Sequence, residues 1–135
     1  MGVMEDIRAR ARQNKRTVIL PEGEEERTIE AASIITKEKL AKIILLGNSD
    51  TIKQKAATLK VSLENVTLID QRQHPRHQEY IIQYFELRKH KGISLDDAAK
   101  TMANPLYYGC MMLRNNEADG LVGGALNTTA ETARA

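Results

Sequence analysis

The stretch Thr17-Val18-Ile19-Leu20-Pro21-Glu22-Gly23, followed by a charged helical pattern and then by Lys42-Ile43-Ile44-Leu45-Leu46-Gly47, decides the fold. Thr17 to Leu20 is a short β-branched run, and Pro21-Glu22-Gly23 is the turn signal that ends it. Glu24 to Glu38 then fits a helix. Glu24, Glu25 and Glu26 fall in its first turn, where the helix dipole favours negative charge, and Lys37 and Lys39 lie near its end. Ala31, Ala32 and Ile35 give it an apolar face. Ile43 to Leu46 is an unbroken apolar run, the pattern of a strand covered on both faces in a parallel sheet.

Working outward, Gly47-Asn48-Ser49 turns the chain, Asp50 to Lys60 reads as a polar helix and Val66 to Ile69 as a third, short strand. Pro75 to His90 is helical again, with Ile81, Tyr84 and Phe85 as its apolar stripe. Ser94 is an expected N-cap, and Asn104-Pro105 is a second helix start with Pro at the first helical position. Leu106, Cys110 and Leu113 share one face of that helix. Asp119 to Ala125, including Gly123 and Gly124, reads as a fourth strand, and Thr128-Thr129-Ala130-Glu131 as the capping box of a last helix. Strands alternating with helices predict an α/β fold with a largely parallel sheet. The last helix has neither a C-cap glycine nor a closing apolar stretch, so the sequence is expected to be the front end of a longer protein.

Composition narrows the function classes. The chain has 135 residues, 41% hydrophobic and 28% charged, enough for one globular domain with a core. Twenty Lys and Arg against eighteen Asp and Glu leave a net charge of +2, which gives no reason to expect a nucleic-acid platform or a polybasic membrane anchor. Cys110 is the single cysteine, so an intrachain disulfide and a Cys-rich zinc site are both excluded. With no apolar run near the ~20 residues of a membrane span, and no secretory h-region at the N-terminus, a cytoplasmic location is expected.

Five features could carry chemistry. Gly123-Gly124-Ala125-Leu126-Asn127-Thr128-Thr129 joins a strand to a helix start, where glycines admit an anion close to the backbone and N–H groups and hydroxyls can hold phosphate. An ordinary tight connection explains the same residues equally well. Arg88 continues the Ile81–Tyr84 stripe at a helix end, so it either snorkels to solvent or reaches into a cleft. Lys89, His90 and Lys91 beside it complement the helix C-terminus. The acids of Glu22 to Glu26 have a sufficient structural reason in a first helical turn, and His74 and His77 lack an evident third ligand, so no metal site is expected. Cys110, on an apolar helix face, is expected to be a buried thiol rather than a nucleophile.

Taken together, the segments resemble a known family. Pro21-Glu22-Gly23-Glu24-Glu25-Glu26-Arg27 and Ala41-Lys42-Ile43-Ile44-Leu45-Leu46-Gly47-Asn48 resemble the opening of phosphate acyltransferases. Glu86-Leu87-Arg88-Lys89-His90-Lys91-Gly92 is similar to a segment typical of the phosphate acetyltransferases. So is Ala118-Asp119-Gly120-Leu121-Val122-Gly123-Gly124-Ala125 with Asn127-Thr128-Thr129 and Arg134. The commoner form of the last motif has Ser at Gly123, His at Asn127 and Leu before the arginine. The resemblance implies an acetyl transfer between acetyl phosphate and coenzyme A, with coenzyme A a substrate and no cofactor. It implies a three-layer αβα arrangement, the first lobe of the two-lobed fold shared with isocitrate and isopropylmalate dehydrogenases. Residues 1–135 would supply the N-terminal part of lobe one, and the catalytic residues would lie in a later part. Arg88 and Arg134 would face coenzyme A phosphates, and Gly123, Gly124, Thr128 and Thr129 would border the acetyl phosphate site. A homodimer is implied for the full-length protein. The rivals are a phosphate butyryltransferase, the C-terminal domain of a malic enzyme, and a non-catalytic α/β module that binds a nucleotide-like anion. The Glu86–Gly92 and Thr128–Arg134 segments favour the acetyl enzyme over the first, and a start at Met1 with no malic domain disfavours the second.

Overall fold

The computed structural model describes residues 2–124, 134 and 135. Its elements are α1 (Val3–Gln13), β1 (Thr17–Leu20), α2 (Glu26–Lys37), β2 (Lys42–Leu46), α3 (Ser49–Leu59), β3 (Thr67–Ile69), α4 (His77–Arg88), α5 (Leu95–Met102), α6 (Pro105–Arg114) and β4 (Gly120–Leu121). A 3-10 turn over Lys89–Lys91 extends α4, and Gly92 ends it in the left-handed region at φ 83°.

The strands form one parallel sheet in the order β3-β2-β1-β4. Side chains alternate across it because successive Cβ atoms point to opposite faces. Leu20, Ile43 and Leu45 meet Ile29 and Ala32 of α2 and Ile52 and Ala56 of α3 on one face. Ile19, Ile44 and Leu46 meet Tyr80 and Ile81 of α4, Ala98 and Met102 of α5, and Tyr108, Met111 and Met112 of α6 on the other. Helices on both faces explain the continuous apolar run of β2, and they make the three-layer αβα arrangement that the resemblance implied.

The helix starts follow local chemistry. Ser94 and Asp97 form a reciprocal capping box at α5: the Asp97 N–H donates to Ser94 Oγ at 3.1 Å, and the Ser94 N–H donates to Asp97 Oδ2 at 2.9 Å. Asn104 Oδ1 caps α6 by accepting the Leu106 N–H at 2.9 Å, with Pro105 at the first helical position.

Three expectations change. α2 begins at Glu26 rather than Glu24, because Glu25 is itself the N-cap and accepts from the Thr28 N–H. Glu24 instead accepts the Asn48 N–H at 3.0 Å, tying the β1 exit to the start of α3. The strand expected over Asp119–Ala125 is reduced to Gly120–Leu121: the Val122 N–H still donates to Ile19 O at 3.0 Å, but the chain then leaves the sheet. In α6 the face toward the core is Leu106, Tyr108, Met111 and Met112, while Cys110 and Leu113 are only partly buried. The capping box expected at Thr128–Glu131 lies outside the described residues.

Candidate functional site

The order β3-β2-β1-β4 places a topological switch point between β1 and β4. The chain moves away from β1 through β2 to β3, then returns through α4, α5 and α6 to the other side of β1. Loops leaving β1 and β4 therefore diverge at the carboxyl edge of the sheet and open a crevice, the place where parallel α/β sheets bind ligands. A cleft of about 250 Å³ lies there, lined by Leu20, Glu22, Arg27, Thr28, Val122 and Gly123.

Two loops build this crevice. In the first, Pro21-Glu22-Gly23, Gly23 packs directly on β2 and its N–H donates to Leu46 O at 3.1 Å. Glu22 beside it is only 7% exposed and lines the crevice. In the second loop the Gly124 N–H donates to Glu22 Oε1 at 2.7 Å, with Gly124 at φ 120°, a backbone that favours glycine. At the rim, Arg27 Nε donates to Glu25 Oε1 at 2.9 Å. Burial raises the Glu25 carboxyl pKa, but hydrogen bonds from Arg27 and Thr28 outweigh it and hold the group below its ordinary value. Glu22 also lines a second cleft of about 310 Å³, with Gln71 and Arg72 after β3 and Pro105 at the start of α6.

Arg88 lies elsewhere. It is half-buried at the end of α4, in a cleft of about 200 Å³ with Tyr84, Tyr107, Cys110, Arg114 and Ala135. Lys89 next to it pairs with Glu86 at 2.7 Å, whereas Arg88 has no hydrogen bond or ion pair among the described residues. Arg134 is exposed and does not line the Arg88 cleft, although its neighbour Ala135 does. Gly123 and Gly124 stand at the separate β1–β4 crevice. Thr128 and Thr129 lie outside the described residues. A Cβ added at Gly123 would meet only ordinary contacts, 3.6 Å from Leu106 Cδ1 and 3.7 Å from Glu22 Oε1, so nothing in the structure explains glycine where related motifs carry Ser.

Cys110 is not the buried thiol that its helix position predicted. It is half-buried in the Arg88 cleft, and that burial raises its pKa. A raised value means that the neutral thiol dominates at neutral pH and that thiolate gains only as pH climbs past 9.0, the ordinary value. Iodoacetamide alkylation at neutral pH is therefore expected to be slower than that of free cysteine, with its rate still rising above that pH. A rate that levels off near neutrality would show an activated thiolate instead.

Sequence reasoning missed a polar brace between α4 and the approach to β4. Arg76 donates to Glu79 at 2.8 Å and to Glu117 at 3.1 Å, and its guanidinium stands 4.8 Å over the Tyr80 ring. His74 Nδ1 shares a hydrogen bond with the Tyr108 hydroxyl. Burial and the Glu117 carboxylate push both the Tyr80 and Tyr108 phenols up. Of these contacts, the Arg76–Glu117 pair ties the start of α4 to the turn before β4. No group of three or more His, Cys, Asp or Glu able to hold a metal occurs among the described residues. Nor is any helix among them long and apolar enough to cross a membrane.

Comparison with known proteins agrees with this layout. The family model described as phosphate acetyl/butaryl transferase matches residues 2–135. The phosphate acetyltransferase of Thermoanaerobacterium thermosaccharolyticum is 41% identical over 134 residues, 99% of this chain and 40% of its own length. That of Acetivibrio thermocellus is 42% identical over 134 residues, with the same two shares. A phosphotransacetylase from Streptococcus pyogenes superposes with a TM-score of 0.89 at 28% identity, over 99% of this chain and 41% of that one. The EutD phosphotransacetylase from Staphylococcus aureus gives 0.86 at 28% identity, over 99% and 42%. The chain thus spans about 40% of the length of these two curated relatives, and it belongs to the phosphate acetyl/butaryl transferase family.

Proposed function

We propose that this chain is the first part of a phosphate acetyltransferase that moves an acetyl group between acetyl phosphate and coenzyme A. The observation that carries the reading is the match over 99% of the chain, at 41% and 42% identity, to two proteins bearing that name. The chemistry of the site supports it. Both substrates are anionic, and Arg88 offers a guanidinium with no partner among the described residues, in a fork geometry suited to phosphate. The β1–β4 crevice would take the acetyl phosphate end. In the reaction the coenzyme A thiolate attacks the acyl carbon, the carbon–sulfur bond forms, the acyl carbon–oxygen bond breaks and phosphate leaves. The protein orients both partners, assists loss of the thiol proton and stabilises the developing oxyanion. A cytoplasmic location and a homodimer belong to the same proposal.

The test uses the complete enzyme, meaning this segment within a chain of the length that its relatives have. It is expected to form acetyl-coenzyme A from acetyl phosphate and coenzyme A, and to use butyryl phosphate less well. Preference for butyryl phosphate would move the protein to the other branch of the family, and no acyl transfer with either would refute the reading. Residues 1–135 alone are expected to show no measurable turnover, because correct positioning of two substrates can supply effective molarities as high as ~10⁵–10⁸ M. Turnover of the short chain equal to that of the complete enzyme would show that it contains the whole site.

A further inference from the structure

The geometry points to Glu22 as a positioning residue for the acetyl phosphate side of the site, and this rests on the function proposed above. β4 contributes only Gly120 and Leu121 to the sheet, so its ladder against β1 is too short to fix the loop that follows. Two carboxylates extend it, one at each end. Before β4, the Asp119 N–H donates to Thr17 O at 2.8 Å and Asp119 Oδ2 accepts the Thr17 N–H at 2.8 Å. After β4, the Val122 N–H donates to Ile19 O, and Glu22 Oε1 then accepts the Gly124 N–H at 2.7 Å across 102 positions of sequence.

Glu22 suits this task because its own backbone cannot drift. Its carbonyl accepts the Glu25 N–H at 3.1 Å, and the next residue, Gly23, is held to Leu46 O. Glu22 is 7% exposed, so its part-buried bond to Gly124 meets less competition from water than a surface bond would. A carboxylate acceptor makes that bond roughly twice as strong as a neutral one. The Gly124 N–H is thereby already committed. An anion in the crevice must find other donors, and the carboxylate's work is to hold the backbone after β4 at Gly124, beside Val122 and Gly123 of the crevice wall. Arg88 sits in a separate cleft, so the two residues should act on different substrates.

The experiment compares Glu22→Ala and Glu22→Gln with the parent complete enzyme. Gly124 amide exchange, followed by NMR, should speed up by about 10- to 100-fold in Glu22→Ala, the effect of losing one hydrogen bond to a charged acceptor. In the same variant kcat should fall by about 10- to 100-fold, or the acetyl phosphate KM should rise by a like factor, while the coenzyme A KM stays within about threefold. Glu22→Gln keeps an acceptor oxygen in place and should rescue most of both losses. Unchanged Gly124 exchange in Glu22→Ala would overturn the proposal, as would faster exchange with kinetics untouched. A fall in thermal midpoint with parental kinetics per folded molecule would make Glu22 purely structural and would also overturn it. If Glu22→Ala does not fold, Glu22→Gln and Glu22→Asp decide together: slower Gly124 exchange in Glu22→Gln than in Glu22→Asp, whose arm is one methylene shorter, supports the clamp, and equal exchange removes it. A parent without acyl transfer refutes the functional reading itself and is distinct from failure of the variants in an active parent.

Discussion

Gly23→Ala is expected to lower the thermal midpoint of the chain by roughly 10–14 °C. A Cβ built on Gly23 would lie 2.3 Å from Leu46 O, 3.0 Å from Leu46 N and 3.1 Å from Leu45 Cβ. Two of these neighbours are backbone atoms of β2, which cannot rotate away as the tip of a long side chain can. The β1 exit and the end of β2 must therefore separate, and the bond from the Gly23 N–H to Leu46 O stretches or breaks. Overpacking of a filled interior costs ~1–3 kcal/mol, and an orphaned buried backbone group ~1–3 kcal/mol more. Taken at about 3–4 kcal/mol, with ~2.1 cal/mol/K of unfolding entropy per residue, the loss gives the stated shift. Gly120→Ala is the matched control, because nothing stands within 4 Å of its added Cβ. Its midpoint should move by no more than about 2–3 °C. Circular dichroism melts of the three proteins decide, and equal midpoints for Gly23→Ala and the parent would show that the approach to β2 is looser than described.

The same contact shows what was legible in the sequence. Pro21-Glu22-Gly23 announced a turn, and Ile43 to Leu46 announced a strand covered on both faces, because local turn chemistry and burial on two sides leave marks in residue order. β2 runs over Lys42–Leu46 as its pattern required, and Ser94 and Asn104 cap their helices with the side chains that suggested them. What did not show was anything settled by distant contact. Residues before Thr17 carried no readable element, yet Val3–Gln13 is a helix; it buries none of its residues, so no core-facing period marks it. Glu22 looked like one acid among several, and only the return of β4 to the far side of β1 makes it a buried acceptor. His74 to His77 read as a polar loop because the partners of His74 and Arg76, Tyr108 and Glu117, lie more than thirty positions away. The overlong fourth strand has the opposite cause. Its apolar residues were visible, but the leftward backbone of Gly124 and its bond to Glu22 take the chain out of the sheet. For the site, Arg88 could be singled out from its place on a helical stripe, whereas the separation of its cleft from the glycine turn could not.

Replacement of Arg88 should weaken coenzyme A use selectively. In the complete enzyme, Arg88→Ala is expected to raise the coenzyme A KM by roughly 10- to 100-fold and to change the acetyl phosphate KM by less than about threefold. Arg88 is half-buried against Tyr84 and Tyr107, yet its guanidinium has no acceptor among the described residues, while the neighbouring Lys89 has Glu86. A partly desolvated cation without a counter-charge is a poor arrangement unless a ligand supplies one. A hydrogen bond to such a charged group is worth ~1.5–3 kcal/mol, which sets the size of the effect at 1.4 kcal/mol per factor of ten. Because no ion pair is broken, the thermal midpoint should move by only about 2–4 °C, through lost packing of the side-chain stem. Arg88→Lys should recover little, since a point charge cannot reproduce a bidentate fork. Ala135, the residue after Arg134, lines the same cleft, and Arg134→Ala is expected to act in the same direction. If both guanidiniums hold one phosphate group, the double variant should lose less than the two single losses combined. Steady-state kinetics on both substrates, with melts beside them, separate the alternatives. An unchanged coenzyme A KM with a lowered midpoint would make Arg88 a helix-end cation and nothing more, and strictly additive losses would place the two arginines on different parts of the ligand.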